Sequence, residues 1–331
     1  MLYLLQWGNA VEFSEFKRKI DSEETFFICL FEGEEVYLAE EGLSALKEKY
    51  VNYPELDYVK IDGADVTVDE MVSLLTAFPF MSKKRVVAVS EFYPNQNFIN
   101  GALKDIFTNP SNDNIFVILN KKPCDTLKKQ QNVTVIACKK QDKATLVKWV
   151  IKEFQINGIT ISTENAGLIC EYSLLDMTKI FNEISKLVSY VGDKKVVDSS
   201  DVDAVVIKDS EFRIYEMTDM VGKRNFDKAL KIITEMLSGG EAPQRLLVSL
   251  YYYYRKLFHI ALSTDSDAEL IKAFGMTDYV LKKLKTQVKA FKIKNLKKAI
   301  DVLADYDYNF KSGNISIDTA FLLSVFKVMI D

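Results

Sequence analysis

The sequence predicts a mixed architecture, a three-layer α/β domain built on a parallel sheet followed by an all-α remainder. Three observations carry that expectation. Up to about residue 141, short apolar and β-branched runs alternate with stretches of helical periodicity, which implies parallel strands joined by right-handed crossovers. From Lys143 onward the pattern changes to amphipathic helices on short links. Between Phe26 and Tyr50 a buried strand, a tight turn at Glu32-Gly33-Glu34-Glu35 and a helix opening at Val36 form the unit on which a doubly wound domain would hold a phosphate.

Taken in order, Phe13, Phe16 and Ile20 recur at helical spacing and predict a small first helix. The first strand is Phe26 to Phe31, and its helix runs from Val36 to about Tyr50. Leu56 to Asp62 alternates apolar with polar residues, as a strand does, and Gly63 ends it. Asp65 or Thr67 can cap a helix whose buried stripe is Val68, Met71, Val72 and Leu75. That helix must stop near Phe78, because the residue before Pro79 is pushed out of the helical region. Strands are expected at Arg85 to Ser90, Asn114 to Leu119 and Val133 to Ala137, with one helix from about Phe98 to Thr108 between the first two.

The helical remainder reads as Ala144 to Phe154, Thr163 to Tyr172 and Asp176 to Val191, with Asp176 as N-cap and Gly192 as stop, then Ser199 to Val206. Further helices run from about Phe212 to the end, broken at Gly239-Gly240 and Ser312-Gly313-Asn314. The expected division is a first domain at 1–141, a small helical domain at 142–210 and a helical C-terminal domain at 211–331.

Composition narrows the function classes. The net charge of −4 argues against a chain that grips nucleic acid over its whole surface. Cys29, Cys124, Cys138 and Cys170 are far apart and lie in apolar segments, so reduced core residues are expected, and a single histidine, His259, cannot build a zinc cluster. The apolar start Met1 to Trp7 is too short for a secretory segment, and no apolar run approaches membrane-spanning length; a cytoplasmic protein is the default expectation.

The chemistry expected of a nucleotide hydrolase is missing from its usual places. The turn after the first strand carries three glutamates and one glycine, with no Gly-Lys-Ser/Thr to wrap phosphates. The strand ending at Leu119 continues as Asn120-Lys121-Lys122-Pro123, basic where two carboxylates would organise magnesium. No catalytic residues, cofactor or metal are therefore expected.

Two other stretches are candidates for partner binding. In Phe78-Pro79-Phe80-Met81-Ser82-Lys83-Lys84-Arg85, large apolar side chains follow a helix-ending proline and precede three cations. Either Phe80 and Met81 fold back onto the sheet, or they stand out as an apolar plug that fills a partner's pocket, with the lysines steering an acidic partner. Lys282, Lys283, Lys285, Lys289, Lys292, Lys294, Lys297 and Lys298 form a basic stretch that could touch phosphates, which makes a DNA-binding scaffold acting through lysine-rich C-terminal helices the alternative function. Such a run is more often the solvated side of helices that turn Leu281, Leu284, Val288, Phe291 and Leu296 inward. The row Tyr251 to Tyr254 cannot point one way on a helix, so core and subunit contacts explain it better than base stacking.

The order of these pieces resembles the delta subunit family of the bacterial DNA polymerase III clamp loader. The likeness lies in Phe31-Glu-Gly33-Glu34-Glu35-Val-Tyr37-Leu38, in Phe78-Pro79-Phe80-Met81 before a basic pair and a valine-rich strand, and in Glu183-Ile-Ser-Lys186-Leu187. Phe226-Asp-Lys-Ala-Leu230, Gly240-Glu-Ala-Pro243 and Asn309-Phe-Lys-Ser-Gly313 add to it. The family's Asp-x-Arg stretch is represented only by Lys122-Pro-Cys-Asp125-Thr-Leu-Lys128. The resemblance implies a RecA-like, degenerate AAA+ type domain, a helical lid and a helical collar that joins other loader subunits in a hetero-oligomer. It also implies a subunit without hydrolysis that binds the beta sliding clamp and opens its ring for loading onto primed DNA. By the same resemblance the clamp-binding residues map to Phe78, Pro79, Phe80 and Met81, with Leu74 and Leu75 supporting them.

Overall fold

The structure, a computed structural model, describes residues 11–22, 24–276 and 278–330. The apolar start Met1 to Trp7 lies outside them. The described chain falls into two compact units, one running to Cys170 and resuming at Leu175–Val205, the other made of Glu171–Leu174 and the chain from Val206 on.

In the first unit each run of aliphatic and β-branched residues becomes a strand. After β1 (Val11–Glu12) and α1 (Phe13–Asp21) come β2 (Ile28–Glu32), α2 (Val36–Tyr50), α3 (Pro54–Asp57), β3 (Tyr58–Asp62), α4 (Val68–Thr76) and β4 (Arg85–Ser90). Then follow α5 (Gln96–Asn100), α6 (Lys104–Thr108), β5 (Asn114–Asn120), α7 (Asp125–Lys128) and β6 (Val133–Ala137). The six strands form one sheet in the order β1-β6-β2-β5-β4-β3, and every pairing is parallel.

Both faces of the sheet are covered, so its central strands read as continuous apolar runs rather than alternating ones. On β2, Ile28 and Leu30 join Met71, Leu75, Val87, Phe107 and Phe116 in one core. Phe31 points to the opposite face, edge-on to Phe16 at 5.1 Å between ring centres. Its ring sits where a Cβ on Gly42 would be, 2.2 Å away, so α2 needs glycine there to lie close to the sheet.

Four local expectations are corrected. Leu56 and Asp57 belong to the helical turn α3, not to the strand, because Pro54 at its first position is preset for helix. The single helix expected at Phe98 to Thr108 is two short ones, interrupted at Gly101, which takes a non-helical conformation. The sheet has a sixth, two-residue strand, β1, pairing with Ile136 and Ala137. Past Lys143 the chain is not helix alone, because β7 (Thr160–Ile161) pairs in parallel with β8 (Val196–Val197), two strands that the sequence reading did not foresee.

Around that pair lie α8 (Lys143–Ile156), α9 (Thr163–Tyr172), α10 (Met177–Val191) and α11 (Ser199–Val205). The Asp142 carboxylate accepts the Thr145 N–H at 2.7 Å to start α8, and the Asp176 carboxylate accepts that of Lys179 at 3.0 Å to start α10. Tyr37, in the first turn of α2, packs against Trp149 of α8 at 5.2 Å and Phe181 of α10 at 5.4 Å. Glu183 pairs with Lys186 at 2.6 Å while Ile184 and Leu187 are buried.

The second unit contains α12 (Ser210–Gly222), α13 (Phe226–Ser238), α14 (Pro243–Leu262), α15 (Asp267–Phe274), α16 (Asp278–Val288), α17 (Ile293–Lys311) and α18 (Ile317–Ile330). Its core centres on Leu246, Leu250, Leu257, Leu284, Leu296, Leu303 and Phe321, all essentially inaccessible. Within the tyrosine row, Tyr253 and Tyr254 enter this core while Tyr252 faces out, as a 100° step per residue requires. Among the described residues no helix is long and apolar enough to cross a membrane.

Candidate functional site

In an open α/β sheet, ligands bind outside the carboxyl ends of the strands where the strand order reverses. Here that switch point is the end of β2, flanked by β5 and β6. Two of the turn's backbone N–H groups are engaged within the protein. Gly33 N–H donates to the Asn120 carbonyl at 3.0 Å, and Glu35 N–H to the Cys138 carbonyl at 2.9 Å. At Gly33, with φ +144°, a Cβ would lie 2.1 Å from that same Cys138 oxygen.

Carboxylates fill the remaining positions. Glu35, only 2% exposed, accepts the Tyr37 N–H at 3.4 Å at the start of α2 and pairs with Lys140 Nζ at 3.0 Å. It supplies the negative charge that a helix N-terminus attracts. Glu32 accepts the Cys124 N–H at 2.8 Å and pairs with Lys128 Nζ at 2.6 Å. Glu34 is exposed.

At the end of β5 the buried Asn120 amide bonds both ways to the backbone of Phe92, its oxygen accepting the N–H at 2.8 Å and its nitrogen donating to the carbonyl at 2.7 Å. Burial, with Glu35 adding to it, pushes the nearby Cys138 thiol up to about 12, so it stays protonated. All four cysteines are buried and form no disulfide, and among the described residues no group of three or more His, Cys, Asp or Glu is arranged to hold a metal.

The second candidate, the Phe78 to Met81 stretch, is open. A capping box starts α4, with Thr67 Oγ1 accepting the Glu70 N–H at 3.3 Å and the Glu70 carboxylate accepting that of Thr67 at 3.0 Å. Met71 and Leu75 are buried in the sheet core, and Leu74 and Val72 pack at its edge. Around Pro79 the apolar side chains turn outward: Phe78 is 78%, Phe80 74% and Met81 57% exposed. Of the two placements open from sequence, folding back onto the sheet is excluded. Leaving two phenylalanines in water forgoes roughly 1.5–3 kcal/mol each that burial would supply.

The backbone beneath them is fixed from a residue that sequence reasoning missed. Asp57, buried at the end of α3, accepts the N–H groups of Phe80 at 2.6 Å, Met81 at 3.0 Å and Ser82 at 2.9 Å. Burial would raise its pKa, but the donors from Phe80, Met81 and Ser82 outweigh it and hold the carboxyl at about 2. The Ser82 hydroxyl in turn accepts N–H groups of Asn52 at 2.9 Å and Tyr53 at 3.3 Å. The signal available in the sequence was Pro54, which announces a helical turn with Asp57 at its end.

The three cations differ in role. Lys84 lies over the rings of Phe27 and Tyr50, each at 5.8 Å, and Arg85 donates to the Leu56 carbonyl at 2.8 Å, so Lys83 is the exposed one of the three. Beside the tip, the open face of α4 is acidic, with Asp62, Asp65, Asp69 and Glu70 lining a shallow groove with Leu74.

In the second unit the basic stretch is partly neutralised. Lys282 pairs with Asp278 at 2.6 Å, Lys297 with Asp301 at 2.8 Å, and Lys285 with Asp267, while Lys283 lies over the Phe212 ring at 5.3 Å. His259 packs edge-on to Phe274 at 5.0 Å.

A parallel RecA-like sheet followed by helical segments defines a fold of the AAA+ type. Residues 30–149 match the family described as DNA polymerase III, delta subunit, and residues 211–328 the DNA polymerase III delta subunit, C-terminal domain. The chain belongs to this DNA polymerase III delta subunit family, a clamp-loader family of DNA replication.

Among its relatives, the DNA polymerase III subunit delta of Bacillus subtilis is 23% identical over 323 residues, 90% of each chain. The probable DNA polymerase III subunit delta of Aquifex aeolicus is 23% identical over 309 residues, 84% of this chain and 86% of that one. The solved structure of the Bacillus subtilis DNA clamp loader delta protein shares the fold, with a TM-score of 0.76 at 20% identity, covering 96% of this chain and all of that one.

Proposed function

We propose that this chain is the clamp-binding subunit of its loader: it docks Phe78, Pro79, Phe80 and Met81, supported by Leu74 and Leu75, into an apolar pocket of the beta sliding clamp and opens the ring for loading onto primed DNA. The observation that carries the reading is the exposed apolar tip, whose phenylalanines are held out on a fixed backbone in a family of clamp loaders. In this reading the subunit hydrolyses nothing itself, consistent with the closed phosphate position. The division of labour is a degenerate AAA+ domain at 1–141, a lid at 142–210 and a collar at 211–331 that joins the other loader subunits.

The test is a pull-down and titration of the sliding clamp with the purified chain in the absence of nucleotide. Phe80→Ala is expected to weaken clamp binding roughly thirtyfold, about 2 kcal/mol, with an unchanged circular dichroism spectrum. Normal clamp affinity in that variant would refute the reading.

A further inference from the structure

The tip has no regular secondary structure of its own, and most of the surface of its apolar side chains stands in solvent. Among the described residues, the amides of Phe80, Met81 and Ser82 all donate to one side chain. We propose that Asp57 is the positioning residue of the tip: by binding three successive N–H groups it sets the direction in which Phe80 and Met81 leave the surface, and so keeps the partner-binding conformation formed before the partner arrives. This rests on the reading of the tip as the clamp-binding surface.

The chemistry favours a carboxylate. Asp57 Oδ1 accepts from Phe80 and Oδ2 from both Met81 and Ser82, a division that one amide oxygen cannot reproduce. An asparagine would place an NH2 group against backbone N–H groups at almost unchanged size. The support is rigid, because Asp57 ends a proline-started helical turn and precedes β3, which is paired residue by residue with β4. Ser82 ties the far end of the tip to the same segment through Asn52 and Tyr53. A loop held this way avoids the affinity loss suffered by one that adopts its binding conformation only part of the time.

The experiment uses the full chain with Asp57→Asn, Phe80→Leu and the double variant, measuring affinity for the sliding clamp and hydrogen exchange of individual amides. Asp57→Asn is expected to weaken clamp affinity about tenfold and to remove protection from the amides of residues 80–82 while the sheet amides keep theirs. The two losses should be less than additive in the double variant, because Phe80 is what Asp57 positions. Additive losses, or wild-type affinity and protection in Asp57→Asn, would overturn the proposal. If Asp57→Asn does not fold, Ser82→Ala perturbs the same anchor more gently; a smaller loss in the same direction supports the inference, and no loss overturns it. Failure of the clamp reading is distinguishable: there Phe80→Ala binds the clamp normally, whereas failure of this inference leaves Phe80→Ala defective and Asp57→Asn unaffected.

Discussion

The turn after β2 and the tip after α4 are both short loops in the same α/β unit, and both are organised by a buried carboxylate that accepts backbone N–H groups. At the first, Glu35 caps α2 from within, and Gly33 lets the chain press against the end of β6. At the second, Asp57 satisfies the loop's backbone from below and leaves its side chains in water. One carboxylate ties its loop inward and the other leaves apolar side chains exposed. The difference lies in what each loop keeps: in the turn the Gly33 and Glu35 N–H groups and the Glu32 and Glu35 carboxylates are engaged within the protein, while in the tip the apolar side chains stand in solvent. Substitutions at the turn should therefore register in stability, and substitutions at the tip in binding.

Several measurements would break or sharpen that contrast. Gly33→Ala should have the largest effect on folding, about 3 kcal/mol by denaturant titration, since the new Cβ meets the Cys138 carbonyl and φ is positive. A loss under about 0.5 kcal/mol would mean that the turn is slack. Glu35→Gln should cost about 1 kcal/mol, because it keeps an acceptor for Tyr37 but gives up the charge facing Lys140 and the helix end. Calorimetry should find no ATP binding by this variant; appreciable binding would mean that the carboxylate alone had kept phosphate out.

Phe80→Ala should change stability by less than about 0.5 kcal/mol despite its binding defect, as expected of a side chain 74% exposed. A separate effect is a pH dependence at Asp57. Its folded-state pKa lies below the ordinary 3.8, so its ionised form stabilises the fold above that pH, and the contribution is lost as pH falls toward about 2. The stability gap between wild type and Asp57→Asn should be constant above pH 5 and narrow on acidification. A gap that narrows between pH 5 and 7 instead would show that another group holds the tip.

What the sequence disclosed follows from how local each signal is. Arg85–Ser90 and Val133–Ala137 were legible to the residue because apolar runs and sharp punctuation mark both ends. Val11–Glu12, Thr160–Ile161 and Val196–Val197 were not, since two residues form no pattern and owe their pairing to strands far away in sequence. At the tip, the proline and the apolar cluster were visible, but their outward orientation was not. Asp57 was hidden because its three partners are backbone groups 23 to 25 residues downstream, which carry no sequence signature at all.

Tyr37, wedged between Trp149 and Phe181 on the helix that a triphosphate would ordinarily grip, gives that packing a consequence of its own. The joint between the sheet and the helices after it is an aromatic seam. If, as proposed, this chain hydrolyses nothing itself, the timing of any motion at the seam is set by neighbouring subunits.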